Sequence, residues 1–151
     1  MKKILFVAPT QGNGGIASWA ANYRKVCPEE YKLISVGVSK RRSLNNTAGI
    51  FRRMFDGILD MFEVFYNVRQ TLKKNHDINI MHLTISGKPG IVRDYFIVKS
   101  ANKNNVKTIV HCHFGSAWNQ VSDTGFWGKL LRSTFQMADQ VWVLDKKSYD
   151  A

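Results

Sequence analysis

The stretch Ile4-Leu5-Phe6-Val7-Ala8-Pro9-Thr10-Gln11-Gly12-Asn13-Gly14-Gly15, residues 4–15, decides the fold prediction. Its first five residues form an uninterrupted apolar run, which is typical of a strand buried on both faces. A glycine-rich loop follows the run, and residues 16–23 then contain good helix formers. The stretch therefore predicts a buried strand, a loop and a helix, the opening unit of an alternating α/β chain.

The alternation of strand and helix continues along the chain. Further strands are predicted at 33–38, 78–83, 107–113 and 140–144, and further helices at 49–75, 91–104 and 128–137. Parallel strands joined by right-handed helical crossovers place helices on both faces of a sheet. We therefore predict an α/β fold with an open parallel sheet of Rossmann type, formed by residues 1–151 as one domain.

Composition excludes several classes of protein. The chain has 151 residues and a net charge of +11, but its hydrophobic content of 44% is too high for a disordered basic tail. Its two cysteines, Cys27 and Cys112, cannot form a disulfide framework and indicate a reducing compartment. The first apolar run is too short for a signal peptide, and no stretch approaches the roughly 18 apolar residues of a membrane span. We expect a cytoplasmic protein that at most rests on a membrane surface.

The glycine-rich loop is a candidate phosphate site. Glycines let backbone N–H groups approach a phosphate, and a helix N-terminus adds partial positive charge. Residues 12–17 also match the dinucleotide pattern G-x-G-x-x-A, although no acidic residue ends the second strand to hold a ribose. The basic run Lys40-Arg41-Arg42 offers a partner for a 2′-phosphate instead. An NADP-dependent Rossmann enzyme therefore stays open, as does a strand-to-helix turn without a ligand.

Two histidines stand near the ends of neighbouring predicted strands. His82 lies near the end of the third strand, and His113 ends the fourth, two residues before Gly115. Because the carboxyl ends of parallel strands open onto one crevice, we expect the two side chains to lie close together. The alternative is that local hydrogen bonds satisfy them. His111 shares a side with His113 and is predicted to be structural. No spacing typical of a zinc site is present.

Four stretches of the chain resemble family 4 of the retaining glycosyltransferases, which have the GT-B fold. They occur in the family's order and cover nearly the whole chain: Lys3–Val7 with Gly14–Ala17, Asp77–Leu83, Lys107–Gly115 and Ala138–Leu144. In that family two Rossmann-like domains face each other, with a nucleotide-sugar between them. The resemblance implies that this chain is the N-terminal domain, which mainly holds the acceptor.

The resemblance also implies roles for individual residues. Gly14 and Gly15 would lie near the donor diphosphate, and His113 would be the catalytic histidine near the transferring sugar. The acceptor cleft would include His82, Ser86, Gly115 and Ser116. The implied reaction transfers a sugar with retention of configuration, and the departing diphosphate assists deprotonation of the acceptor. It needs no metal and no cofactor, since the nucleotide-sugar is a substrate.

One departure from the family concerns the second domain. The chain ends at Tyr149-Asp150-Ala151, where the family continues into the domain that carries its E-x7-E motif. We expect an acceptor-side half that is inactive alone, and a second chain is one source of the other half. The alternative from another class is a non-catalytic module that binds an acceptor or a partner chain.

Basic residues cluster around the long predicted helix beside aromatic ones. Such a helix is typical of proteins that rest on anionic lipid. The alternative is an ordinary helix with its wide apolar face against the sheet, since Asp56, Asp60 and Glu63 dilute the charge. No nucleic-acid-binding motif is present, and we expect no such partner. Lipid-linked glycan or polysaccharide assembly would fit a membrane surface. The candidate membrane-facing residues are Lys40, Arg41, Arg42, Arg52 and Arg53.

Overall fold

Strands and helices alternate along the chain as the sequence predicts. The computed structural model describes residues 1–11, 14–38, 49–85, 87–115 and 117–151, apart from the side chain of Arg53. In chain order the elements are β1 Lys2–Ala8, α1 Gly15–Val26, β2 Tyr31–Gly37, α2 Ile50–Lys74, β3 Ile78–Ile85, α3 Ile91–Lys103, β4 Lys107–Cys112, α4 Ala117–Ser122, α5 Phe126–Met137, β5 Gln140–Trp142 and α6 Lys146–Asp150.

The five strands form one parallel sheet. Their order is β2-β1-β3-β4-β5, and every neighbouring pair is parallel. The chain moves first toward the β2 edge through α1 and then toward the β5 edge through α2, α3 and α5. Because right-handed crossovers in opposite directions place their helices on opposite faces, α1 lies on one face and the other three lie on the other. The predicted Rossmann-type open sheet is confirmed.

Some element boundaries differ from the predicted ones. β3 runs to Ile85, two residues further than predicted, because Thr84 and Ile85 pair with His111 and Cys112 of β4. His82 therefore lies inside the strand rather than near its end. The short helix α4 was not predicted, since six residues are too few to show a helical period. Strand pairing and tertiary contacts set these boundaries, and neither is visible in local sequence.

The two faces of the sheet have different cores. The face under α2, α3 and α5, here the three-helix face, is aliphatic. Its buried strand residues include Leu5, Val7, Val36, Ile78, Met81, Leu83, Ile85, Val110 and Cys112. The face under α1, here the α1 face, has a smaller core of Phe6, Ala8 and Ala20, with Trp19, Tyr23 and Leu33 packed against it. Aromatic residues thus replace aliphatic ones on the α1 face.

Two carboxylates form hydrogen bonds next to the sheet, and one of them links two strands. Asp139 accepts hydrogen bonds from the backbone N–H of Thr108 and from Lys107 Nζ, both at 2.8 Å, which ties the start of β5 to β4. Asp94, fully buried at the start of α3, accepts from Arg93 Nε at 2.8 Å. Burial raises the pKa of Asp94 to about 6, although the neighbouring Arg93 opposes the shift.

No helix within the described residues combines the length and the apolar character needed to cross a bilayer.

Candidate functional site

His113 lies where β4 ends, on the α1 face. Its backbone N–H donates to the carbonyl of Ile85 at 3.1 Å, so the backbone pairing with β3 continues one residue beyond Cys112. Side chains alternate along a strand, and His113 therefore emerges on the same side as His111. The sequence predicted this shared side, and the imidazole centroids lie 3.9 Å apart.

Three histidines and one tryptophan form a single cluster. His111 lies between the other two histidines, 3.9 Å from His113 and 5.6 Å from His82 by ring centroids. Trp19 of α1 contacts all three, at 4.4 Å from His113, 4.8 Å from His111 and 5.7 Å from His82. His82 and His113 thus belong to one cluster, joined through His111 and Trp19. We call these four residues the histidine cluster.

His82 is the deepest member of the cluster. It is 0% exposed, and its Nδ1 lies 3.4 Å from the Tyr23 hydroxyl oxygen. The ring also meets Phe6 and Trp142 edge to face, with centroids 5.5 and 5.1 Å away. Together with Tyr23 it lines a cavity of about 260 Å³ between α1 and the first half of the strands. His113 is only half buried and lies closer to the carboxyl end of the sheet.

The cluster is uncharged at neutral pH. Burial, with the neighbouring His111 and His113 as smaller causes, lowers the pKa of His82 to about 4. Burial and then His113 lower the pKa of His111 to about 4, and burial lowers the pKa of His113 as well. Removal from water disfavours the imidazolium form, so the first cause is the same for all three.

Each imidazole has one buried nitrogen without a described hydrogen-bond partner. Among the described residues, no group forms a hydrogen bond with His82 Nε2, His111 Nδ1 or His113 Nε2, although all three atoms are buried. A buried polar atom without a partner costs free energy, typically about 1–3 kcal/mol. A neutral imidazole nitrogen donates or accepts according to its tautomer. The cluster therefore contains three buried polar atoms that no described residue satisfies.

Gly14 and Gly15 of the glycine-rich loop begin the helix that carries Trp19. Gly14 precedes α1 in an extended conformation, and Gly15 is the first helical residue. A Cβ added to either glycine would meet nothing within 4 Å, so packing does not require glycine there. No described side chain caps this helix end. Trp19 follows Gly15 by one helical turn, which places the open N-terminus of α1 beside the histidine cluster.

The remaining predicted residues fall in several places. Gly115 is exposed two residues after His113, and an added Cβ would meet nothing there either. Arg52 is exposed on α2. Among the described residues, no group of three or more His, Cys, Asp or Glu has an arrangement that would hold a metal ion. The predicted residues that lie outside the described ones are Ser86, Ser116, Lys40, Arg41, Arg42 and the side chain of Arg53.

Four aromatic or histidine residues of the site were not predicted to take part in it. Trp19 and Tyr23 are four residues apart on α1, a spacing that places both on one face of the helix and gave a usable signal. His111 was predicted to be structural, yet it joins the other two histidines. Trp142 pairs in register with His111, and nothing in the local sequence reveals that pairing.

Comparisons with family models, with curated proteins and with solved structures give no match to this chain.

Proposed function

We propose that this chain is the acceptor-side domain of a retaining glycosyltransferase, which transfers a sugar from a nucleotide-sugar to a glycan or lipid-linked acceptor. One observation carries the proposal: His113 lies against Trp19, beside the open N-terminus of α1 and at the carboxyl end of β4. Ligands of open α/β sheets bind beyond the carboxyl ends of the strands. At this strand end, the buried Nε2 of His113 has no described hydrogen-bond partner.

The chemistry of the cluster suits a sugar. Small-molecule sites combine aromatic walls with a few polar groups that fix orientation. A sugar ring presents C–H groups that pack on an indole and hydroxyls that bond to imidazole nitrogens. Trp19 supplies the indole, and the partly exposed ring of His113 supplies the imidazole. The Nε2 atom of His113 is buried without a described partner, so a hydroxyl reaches it only when a neighbouring side chain moves. A site that binds only phosphate needs no aromatic surface, so Trp19 favours a sugar as part of the ligand.

The N-terminus of α1 suits the diphosphate of the donor. Its first N–H groups carry partial positive charge and, among the described residues, no side chain caps them. In the proposed reaction the bond from the sugar's anomeric carbon to the diphosphate breaks, and a bond from the acceptor oxygen forms on the same face. The acceptor proton goes to the departing diphosphate. N–H groups aimed at that diphosphate would stabilise its growing charge.

The lowered pKa of His113 has a role in this proposal. An imidazolium has no free lone pair, whereas a neutral imidazole accepts a hydrogen bond from a hydroxyl. Burial keeps His113 neutral at pH 7, so it can hold an acceptor or donor hydroxyl without adding a positive charge. In a complete enzyme, we expect His113→Ala to reduce transfer strongly while the fold is retained.

Imidazole NMR with added ligands tests the proposal. The chain has four histidines, and nitrogen–proton correlation spectra resolve each of them once single variants assign the signals. We expect nucleoside diphosphates and oligosaccharides to shift the His113 signals and to raise the melting temperature. Trp19→Ala should abolish both effects. His76→Ala changes an exposed histidine outside the cluster and serves as the matched control.

Three outcomes would change the proposal. Stabilisation by NADP alone would replace it with the dinucleotide-binding alternative. Binding of oligosaccharides without any nucleotide would assign the chain to a non-catalytic acceptor-binding module. Turnover of a nucleotide-sugar by the isolated 151-residue chain would contradict the expectation that it is inactive alone.

A further inference from the structure

The first two thirds of α2 carry a row of exposed apolar residues. Their spacings of four, three, four and four place them along one side of the helix. We call this row the α2 stripe: Phe51 is 87% exposed, Phe55 61%, Ile58 49%, Phe62 67% and Tyr66 59%. The helix packs on the sheet through a different row, in which Val64, Val68 and Leu72 are at most 2% exposed. The helix therefore has two apolar rows, of which the second is covered in its C-terminal part alone, since Met54 in the same row is 62% exposed.

The exposed apolar surface extends onto a second helix. Phe65, between the two rows, contacts Phe96 of α3 with ring centroids 6.3 Å apart. Phe96 is itself 49% exposed. Monomeric proteins rarely expose large contiguous apolar patches unless these mark an interaction site. Of the apolar face predicted to lie against the sheet, Val68 and Leu72 are buried, whereas the stripe is exposed.

Basic residues adjoin this surface. The row of the stripe continues after Tyr66, at spacings of three and four, with Arg69 and Lys73, and both are exposed. On α3, Lys99 Nζ lies 5.7 Å from the ring centroid of Tyr95, the neighbour of Phe96. At 100° per residue, the acidic residues of α2 lie about 100–160° from the centre of the stripe, and they are Asp56, Asp60 and Glu63.

We infer that the α2 stripe rests on the surface of an anionic lipid bilayer. Aromatic side chains prefer the boundary between headgroups and acyl chains, where an amphipathic helix lies in the plane of the membrane. Arg69, Lys73 and Lys99 lie where lipid phosphates would meet them. The net charge of +11 favours the same partner. From Phe51 to Tyr66 the stripe is about 22 Å long, enough for several headgroups.

The charge distribution favours lipid over a second copy of the chain. An isologous dimer would place Arg69 and Lys73 against the same surface of a second copy, whose stripe offers them aromatic residues or further cations but no carboxylate. An anionic bilayer instead pairs every one of these cations. The inference does not rest on the glycosyltransferase proposal, because no residue of the histidine cluster takes part in it.

Vesicle co-sedimentation of the full chain tests the inference. The vesicles contain phosphatidylcholine alone or mixed with phosphatidylglycerol, at fixed ionic strength. We expect binding to the anionic vesicles to be at least about tenfold tighter, since each surface cation adds to the attraction. Phe55→Ser with Phe62→Ser should weaken it about tenfold. The matched control changes two exposed apolar residues elsewhere, Phe126→Ser with Val26→Ser, and should change binding less than about twofold.

Two double variants that each remove two positive charges test the electrostatic part of the inference. Arg69→Gln with Lys73→Gln should weaken binding to anionic vesicles about tenfold, whereas Lys25→Gln with Lys129→Gln removes the same charge from other exposed positions and should matter less. Circular dichroism checks that each variant is folded. Equal binding to both vesicle types, or equal effects of both charge pairs, would overturn the inference. A dimer lost in the serine variants, with no vesicle binding at all, would assign the stripe to a second copy.

Discussion

The two faces of the sheet show how one strand serves two purposes. Leu83 and His82 are neighbours in β3, and both are 0% exposed, yet they point to opposite faces. Leu83 joins the aliphatic core of the three-helix face. His82 joins the histidine cluster, where its Nε2 has no partner among the described residues. The three-helix face thus supplies stability, while the α1 face keeps buried polar atoms that no described residue satisfies.

Burial of Leu83 on one face and of the His82 Nε2 atom on the other contributes to the free energy of folding with opposite sign. Burying a leucine side chain stabilises a fold by about 1.5–3 kcal/mol, because apolar surface leaves water. Burying an imidazole nitrogen without a partner costs about 1–3 kcal/mol instead. Unsatisfied buried polar atoms of this kind are uncommon in folded proteins and call for an explanation such as a functional role. The α1 face is therefore the better candidate for a functional site. Substitutions of neighbouring residues that point to opposite faces, Leu83 and His82, test this difference.

The largest expected effect is on the three-helix face. Leu83→Ala should lower the free energy of unfolding by about 3–5 kcal/mol, since it removes buried methyl groups and leaves a cavity. His82→Leu, one residue away, should change it by less than about 1.5 kcal/mol at pH 7, because the loss of the long Nδ1 contact with the Tyr23 hydroxyl is offset by removal of the unpartnered Nε2, at a similar volume. Urea denaturation measures both. If His82→Leu cost as much as Leu83→Ala, the proposed difference between the faces would be wrong.

The second prediction concerns acid. The pKa of His82 is about 4 in the folded chain and 6.5 in the unfolded one. Between these values the unfolded chain binds protons that the folded chain does not, so a fall in pH from 6.5 to 4 favours unfolding. At about 1.4 kcal/mol per pKa unit, His82 alone should lower the free energy of unfolding by about 3 kcal/mol over this range. His111 adds an effect of the same sign.

Asp94 titrates in the same range with the opposite sign. Its folded pKa of about 6 exceeds the ordinary 3.8, so its protonation stabilises the folded chain as the pH falls toward 4. The histidine effect is therefore measured as a difference, by following unfolding of the chain and of the His82→Leu, His111→Leu variant from pH 7 to 4. Asp94 contributes equally to both. Parallel curves would show that the cluster is not desolvated in the folded chain.

The sequence predicts the sheet better than it predicts the cluster. Apolar runs fix where strands form, and the right-handed crossover then places the helices, which is why the fold class is confirmed. The position of His113 at a strand end can be predicted, because it depends on the local sequence of one strand only. Trp142 is not found, since its contact with His111 depends on the register between β4 and β5. The α2 stripe is not found either. Its apolar residues recur at the helical spacing of three and four, and this spacing is the same for a row that is buried and for a row that is exposed.

The smallest expected effect on stability is at the edge of the α1 face. Trp142 lies edge to face against His82 and His111, with centroids 5.1 and 5.6 Å away, but it is 41% exposed. Trp142→Ala should lower the free energy of unfolding by only about 1 kcal/mol, because a half-exposed ring gives up less on truncation than a buried one.

The informative readout of Trp142→Ala is the pKa of the two histidines beneath it. Burial is the first cause of both low values, so admitting water at this edge should move the pKa of His82 and of His111 up toward 6.5. An NMR titration of the imidazole signals measures this, with Phe126→Ala on α5 as the control. Unchanged values would mean that α1 alone, through Trp19 and Tyr23, keeps water from the cluster.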